Sequence, residues 1–171
     1  MKAPVIETKR LLIREFVPED LEDLYRIYGE SESAFLEQLS PNRQEEMEKL
    51  KSYIHYIYGF YGFGLWAVCL KETGRLIGRC GLQVIFLPEA QEGEYELGYM
   101  ISGLYQNQGY GREAVEGVLL YAHEELEAPR VILRIDKGNS RSIDFARTIG
   151  FKKMSSKAFK PTGYQVYIYD L

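Results

Sequence analysis

Apolar positions along this chain switch between two periods, and the switches mark its elements. The run Leu11-Leu12-Ile13-Arg14-Glu15-Phe16 has the length and apolar weight of a strand. Pro18-Glu19-Asp20 then opens a helix, because proline suits a first turn and acids suit its positive end. Leu21, Leu24, Tyr25 and Tyr28 form its apolar stripe. A polar segment with Ser31, Ser33, Ser40 and Pro41 leads to a second helix over about 42–58, which Gly62 and Gly64 close. Residues 65–70 and 75–84 read as a hairpin around Lys71-Glu72-Thr73-Gly74, and 88–93 as a loop. In the strand 94–101, Glu94, Glu96 and Gly98 share one face, and Tyr95, Leu97 and Tyr99 the other. Val115, Val118, Leu119, Ala122 and Leu126 recur at helical spacing. Pro129 precedes a strand over 131–136. Asn139 or Ser140 caps a short helix that ends near Ile149, with Gly150 as its stop. Strands around 151–159 and 163–169 close the pattern. Strands with helices between only some of them predict an α+β domain with a mixed sheet.

Composition narrows the function classes. The 171 residues suit one domain with a substantial core, over 1–171. A formal net charge of −4 argues against general affinity for nucleic acid or an anionic membrane, either of which needs a basic face. The first residues lack an apolar stretch followed by a small-residue cleavage site, so no secretion signal is expected. No apolar run approaches the roughly 20 residues that cross a bilayer. Cys69 and Cys80 fall out of register across the expected hairpin, which predicts two reduced thiols and a cytoplasmic protein. His55 and His123 are far from each other and from any cysteine pair, so no metal site is expected.

The most informative stretch is Gln106-Asn107-Gln108-Gly109-Tyr110-Gly111-Arg112-Glu113-Ala114. Its glycines let the backbone curl tightly and approach a ligand closely. The helix that follows starts with N–H groups that lack partners and with a dipole that favours negative charge. Together these form a cradle for a phosphate or diphosphate. Gly109-x-Gly111-x-x-Ala114 also matches the dinucleotide fingerprint, with Asp136 ending the next strand. Against that reading, Tyr105-Gln106-Asn107-Gln108 is too polar for a buried parallel strand, and about 60 residues remain for further βαβ units.

With Gln106 included, the stretch resembles the diphosphate-binding signature Gln/Arg-x-x-Gly-x-Gly/Ala of the GNAT acetyltransferases. Other matches follow in family order. Leu11-Leu12-Ile13-Arg14 resembles the first strand, and Gly62-Phe63-Gly64-Leu65-Trp66-Ala67-Val68 with Gly74-x-x-Ile77-Gly78-x-x-Gly81-Leu82 the central hairpin. Glu96-Leu97-Gly98-Tyr99 resembles the strand before the loop, and Asn139-Ser140-Arg141-Ser142 with Ile149-Gly150-Phe151 the second conserved block. The likeness is closest to the branch that holds acetyltransferases of ribosomal-protein N-termini. It implies an α+β fold with a mostly antiparallel sheet of about seven strands, splayed between the fourth and fifth. It implies acetyl transfer from acetyl-CoA to a primary amine in a ternary complex, without a metal, and by family habit a homodimer. The amine could belong to a protein N-terminus, an antibiotic, a polyamine or a metabolite. A coenzyme A-binding module without turnover is the alternative.

The resemblance also implies roles for particular residues. Gln106, Asn107, Gln108, Gly109, Tyr110, Gly111 and Arg112 would hold the diphosphate. The backbone of Met100 and Ile101 would pair with the pantetheine arm as an added strand does. Asn139 would bond that arm as well as cap its helix, and Ser142 would do likewise or protonate the leaving thiolate. An amine attacks only when neutral, and an α-amino group titrates near ~8 and a lysine near ~10.4, so a base is expected. Glu96 is the candidate base, with Glu94 on the same face and water as rivals. Many family members carry a tyrosine acid where this chain has Ala146, with Phe145 adjacent. The aromatic cluster Tyr53, Tyr56, Tyr58, Phe60, Tyr61, Phe63 and Trp66 reads mainly as helix-to-sheet packing, with an acceptor pocket as the other reading.

Overall fold

The computed structural model describes residues 4–31, 35, 38–86, 92–154 and 163–171. Among these residues eight strands form one open sheet in the order β1-β2-β3-β4-β5-β6-β8-β7. These are β1 (Ile6–Glu7), β2 (Leu11–Arg14), β3 (Leu65–Leu70), β4 (Leu76–Ile85), β5 (Glu94–Ile101), β6 (Arg130–Asp136), β7 (Lys152–Lys153) and β8 (Tyr164–Asp170). The helices are α1 (Leu21–Gly29), α2 (Arg43–Tyr53), the single turn α3 (Gly59–Tyr61), α4 (Tyr110–Glu124) and α5 (Ser140–Ile149). All neighbouring strands run antiparallel except β5 and β6. A doubly wound dinucleotide fold needs successive parallel strands, so this sheet excludes that reading.

The sheet has an apolar layer on each face. Leu21, Leu24 and Ile27 of α1 and Leu50 of α2 pack on Ala67, Cys69, Leu76 and Met100. Val115, Val118, Leu119 and Ala122 of α4 and Ile143 and Ala146 of α5 pack on Trp66, Val68, Ile77, Leu97 and Val131. Ile27, rather than Tyr25 or Tyr28, completes the buried stripe of α1. Arg14 and Asp20, both buried, join β2 to the start of α1 through hydrogen bonds of 2.7 and 2.8 Å. Asn42 caps α2 by accepting from the N–H groups of Gln44 and Glu45.

The second helix is not uniform. After α2 it widens into one π turn at Ile54–Tyr58 and ends at Gly62, whose φ is 73°. In a regular helix Tyr53 and Tyr58 would lie about 140° apart. The wide turn brings both hydroxyls to Leu65, where Tyr53 accepts from its N–H at 2.6 Å and Tyr58 donates to its carbonyl at 2.6 Å. Tyr58, Phe63 and Trp66 are core residues, whereas Tyr56 and Phe60 stand in solvent, Phe60 81% exposed. Cys80 lies opposite Trp66 and Cys69 opposite Leu76, both as buried free thiols. Burial pushes the Cys69 thiol up to about 11, which leaves it unreactive. Residues 88–91 and 155–159 of the expected loop and strand lie outside the described residues.

Candidate active site

β5 and β6 meet through one backbone pair, Glu96 opposite Ile132. Beyond it a cleft of about 1630 Å³ opens, bordered by residues 96–101 of β5 and 133–136 of β6. The parting of two parallel strands leaves part of the β5 edge available to an extended ligand rich in amides. The seven-strand expectation missed only the two-residue β1, so the splay falls where the fourth and fifth expected strands lie.

One end of the cleft is the glycine loop. Gln106 Nε2 donates to the Ile101 carbonyl at 2.7 Å and so ties the loop to the strand end. Asn107 and Gly109 take left-handed backbone, with φ of 61° and 84°. Gly109 caps α4, and among the described residues no side-chain hydrogen bond caps that helix start. Its first N–H groups therefore lack intrahelical partners, and successive amides in such a turn make an anion-binding hollow. The loop is anchored from behind. Arg10 donates to the Gln108 carbonyl at 3.0 Å, stacks over the Tyr110 ring, and meets Glu113 at 2.6 Å. Glu113 also accepts from Thr8 and from the Arg10 N–H. Burial alone raises the Glu113 carboxyl, but the hydrogen bonds from Thr8 and Arg10 outweigh it and hold the group below its ordinary range. Gln106, Asn107, Gly109, Gly111 and Arg112 border the cleft; Gln108 and Tyr110 do not.

The opposite wall comes from α5. Asn139 caps it by accepting from the Ser142 N–H at 3.1 Å, and both residues border the cleft with Arg141. Ala146 is buried and offers no hydroxyl. The nearby phenol is Tyr99, whose ring lies 4.8 Å from that of Phe145. Its Oη is buried and without a hydrogen-bond partner among the described residues. Burial pushes that phenol up to about 12, while the Ser142 hydroxyl draws it partly back without completing a hydrogen bond.

Glu96 is buried, 5% exposed, and borders the cleft. Arg134 grips it, with Nε to Oε1 at 2.6 Å and Nη2 to Oε2 at 2.9 Å. Gln83 adds a hydrogen bond to Oε2 at 2.7 Å. Each carboxylate oxygen has two acceptor positions, so Oε1 keeps one. Glu94 pairs with Arg130 away from the cleft. Met100 belongs to the α1 layer and also borders the cleft, as Ile101 does. None of the seven clustered aromatics borders it. Sequence reasoning did not find Arg134, Gln83 or the hydroxyl of Tyr99. The alternation of 94–101 had placed Tyr99 on its face, but nothing local marks which residues of β4 and β6 lie opposite.

Comparison with known proteins is consistent across sequence and fold. Residues 10–152 match the model of the acetyltransferase (GNAT) domain. The uncharacterized N-acetyltransferase YnaD of Bacillus subtilis (strain 168) is 28% identical over 160 residues, which cover 86% of this chain and 82% of that protein. The crystal structure of the acetyltransferase from Agrobacterium tumefaciens str. C58 superposes with a TM-score of 0.76 at 22% identity, over 100% of this chain and 96% of the other. RimL, the ribosomal L7/L12 α-N-protein acetyltransferase in complex with coenzyme A, superposes with a TM-score of 0.70 at 16% identity, over 99% and 97% of the two chains.

Proposed function

The chain belongs to the GNAT acetyltransferase family, and from that premise we propose that it moves an acetyl group from acetyl-CoA to a primary amine by direct attack in a ternary complex. One observation carries this reading: the unpartnered N–H groups at the start of α4 and the open edge of β5 border the same cleft. The residues present suit coenzyme A. A diphosphate matches the hollow from Asn107 to Arg112, with Arg112 and Arg141 adding positive charge. An amide-bearing arm matches the β5 edge near Met100 and the Asn139 side chain. The unpartnered Tyr99 hydroxyl fits a site completed by a ligand's polar atom.

Glu96 takes the proton of the incoming ammonium at its spare Oε1 position, directly or through a water. It is preferred to Glu94 because it borders the cleft. The neutral nitrogen then attacks the thioester carbonyl, the C–N bond forms, the C–S bond breaks, and the nitrogen's surplus proton passes to water or to the departing sulfur. A thiol titrates near ~8.5, so the sulfur leaves readily as thiolate near neutral pH. Ser142, with Tyr99 beside it, supplies the hydroxyl contact to that sulfur in place of the tyrosine that Ala146 replaces. The test is a panel of amines with acetyl-CoA and a thiol-release readout. Release with at least one amine class is expected. Binding of coenzyme A without release across a wide panel would instead support a binding module, for which Ala146 is the ground.

A further inference from the structure

Two ion pairs cross from β5 to β6, Glu94 with Arg130 and Glu96 with Arg134. They are chemically alike, yet only the second borders the cleft. The Arg134 side chain is 42% exposed, although its partner is buried. It spends Nε and one Nη2 hydrogen on Glu96. Among the described residues Nη1 hydrogen-bonds nothing. A guanidinium presents five N–H groups in a planar fork, so its end-on edge, Nη1 with the second Nη2 hydrogen, remains for another carboxylate. The other acids bordering the cleft are already engaged: Glu30 by Arg26 and Ser102, and Asp136 by the Gly138 N–H.

We propose that the free edge of Arg134 binds a carboxylate of the acceptor, which is therefore an amino-carboxylic acid whose reacting amine lies several bonds from its carboxylate, such as an amino acid with a side-chain amine. This rests on the transferase reading above. In the cleft the anion Glu96 and the cation Arg134 are in direct contact. Oε1 sits beside Nε, at the other end of the pair from the free edge, so the amine and carboxylate that complement this order stand several bonds apart. The ammonium meets Glu96 Oε1 and the carboxylate meets Arg134. A protein N-terminus lacks this feature, because its first carboxyl is tied up in a peptide bond.

The experiment uses matched pairs: free amino acids that carry a side-chain amine and their amides, each with acetyl-CoA and a thiol-release readout. An amide's amine is the less basic of the two, so a larger share of it is neutral and intrinsic reactivity favours the amide. The enzyme is expected to prefer the free acid. Arg134→Gln also frees Glu96, so activity should fall with both substrates, but kcat/KM for the acid should fall about 10- to 100-fold further than for the amide, mainly through KM, as loss of a charge-assisted hydrogen bond requires. Arg134→Lys keeps a cation beside Glu96 but not the fork, so the preference should fall while the fold is retained. Arg130→Gln removes the sister pair and should leave the preference intact. Equal use of acid and amide by the wild type, or equal loss for both in Arg134→Gln, overturns this inference alone. No release with any amine overturns the transferase reading, and this inference with it.

Discussion

A buried hydroxyl that bonds nothing is a cost, and among the described residues that of Tyr99, beside Ser142, has no hydrogen-bond partner. Its removal should be neutral or stabilising without ligand, because an unsatisfied buried polar group is penalised by about 1–3 kcal/mol. Tyr99→Phe is therefore expected to melt no lower than the wild type in the apo state, and to lose about 10-fold in kcat/KM with acetyl-CoA, the equivalent of one hydrogen bond. A variant equally active in every assay would assign Tyr99 to packing alone. Glu96 sits in the reverse situation, with both oxygens occupied and one acceptor position spare. Glu96→Gln should lower kcat by about 10² to 10⁴, the usual share of a positioned base, with acetyl-CoA affinity barely moved. An unaltered pH–rate profile in that variant would remove Glu96 from the mechanism. Glu96 was legible through the family resemblance, since strand alternation gives Glu94 the same face. Arg134 was not, because its importance comes from a partner 38 residues away across the sheet.

At the scale of elements, the loop and α4 act as one unit. Gly109 holds a φ of 84° at the helix start, a region that a β-branched residue strongly resists. Gly109→Val should abolish coenzyme A binding while circular dichroism and the melting transition stay cooperative; retained affinity would contradict the cradle. Behind the loop, Glu113 anchors Thr8 and Arg10. Its carboxyl is held low in the folded state, so its contribution is present above the ordinary unfolded value of ~4.3 and fades as pH falls through the lower folded value. Acid unfolding followed in wild type and Glu113→Gln should show a stability difference near neutral pH that narrows below about pH 4. A difference that does not change with pH would mean that the charge is not what anchors the loop. Sequence located the glycines and the Asn139 cap, because both follow from local backbone needs. It did not reveal the wide turn at Ile54–Tyr58, because apolar spacing cannot separate one extra residue per turn from a regular helix. That turn is set by Leu65, whose backbone both tyrosines hold.

For the whole molecule, the sheet is an ordinary antiparallel scaffold with one deliberate break. Apolar layers on both faces keep it rigid, and the single backbone pair between β5 and β6 concentrates its openness at the cleft. The strand order was legible only through resemblance, since periodicity gives elements and not neighbours. β1 escaped because two residues carry no periodic signal. No described helix is long and apolar enough to cross a membrane. Among the described residues no group of acids, histidines or cysteines is arranged to hold a metal ion. The proposed chemistry rests on the cleft, and above all on backbone amides at the start of α4 meeting a diphosphate. Calorimetric titration of coenzyme A and acetyl-CoA into folded protein tests this most directly. Saturable heat at one molecule per chain is the predicted result; no heat from either coenzyme would contradict the account.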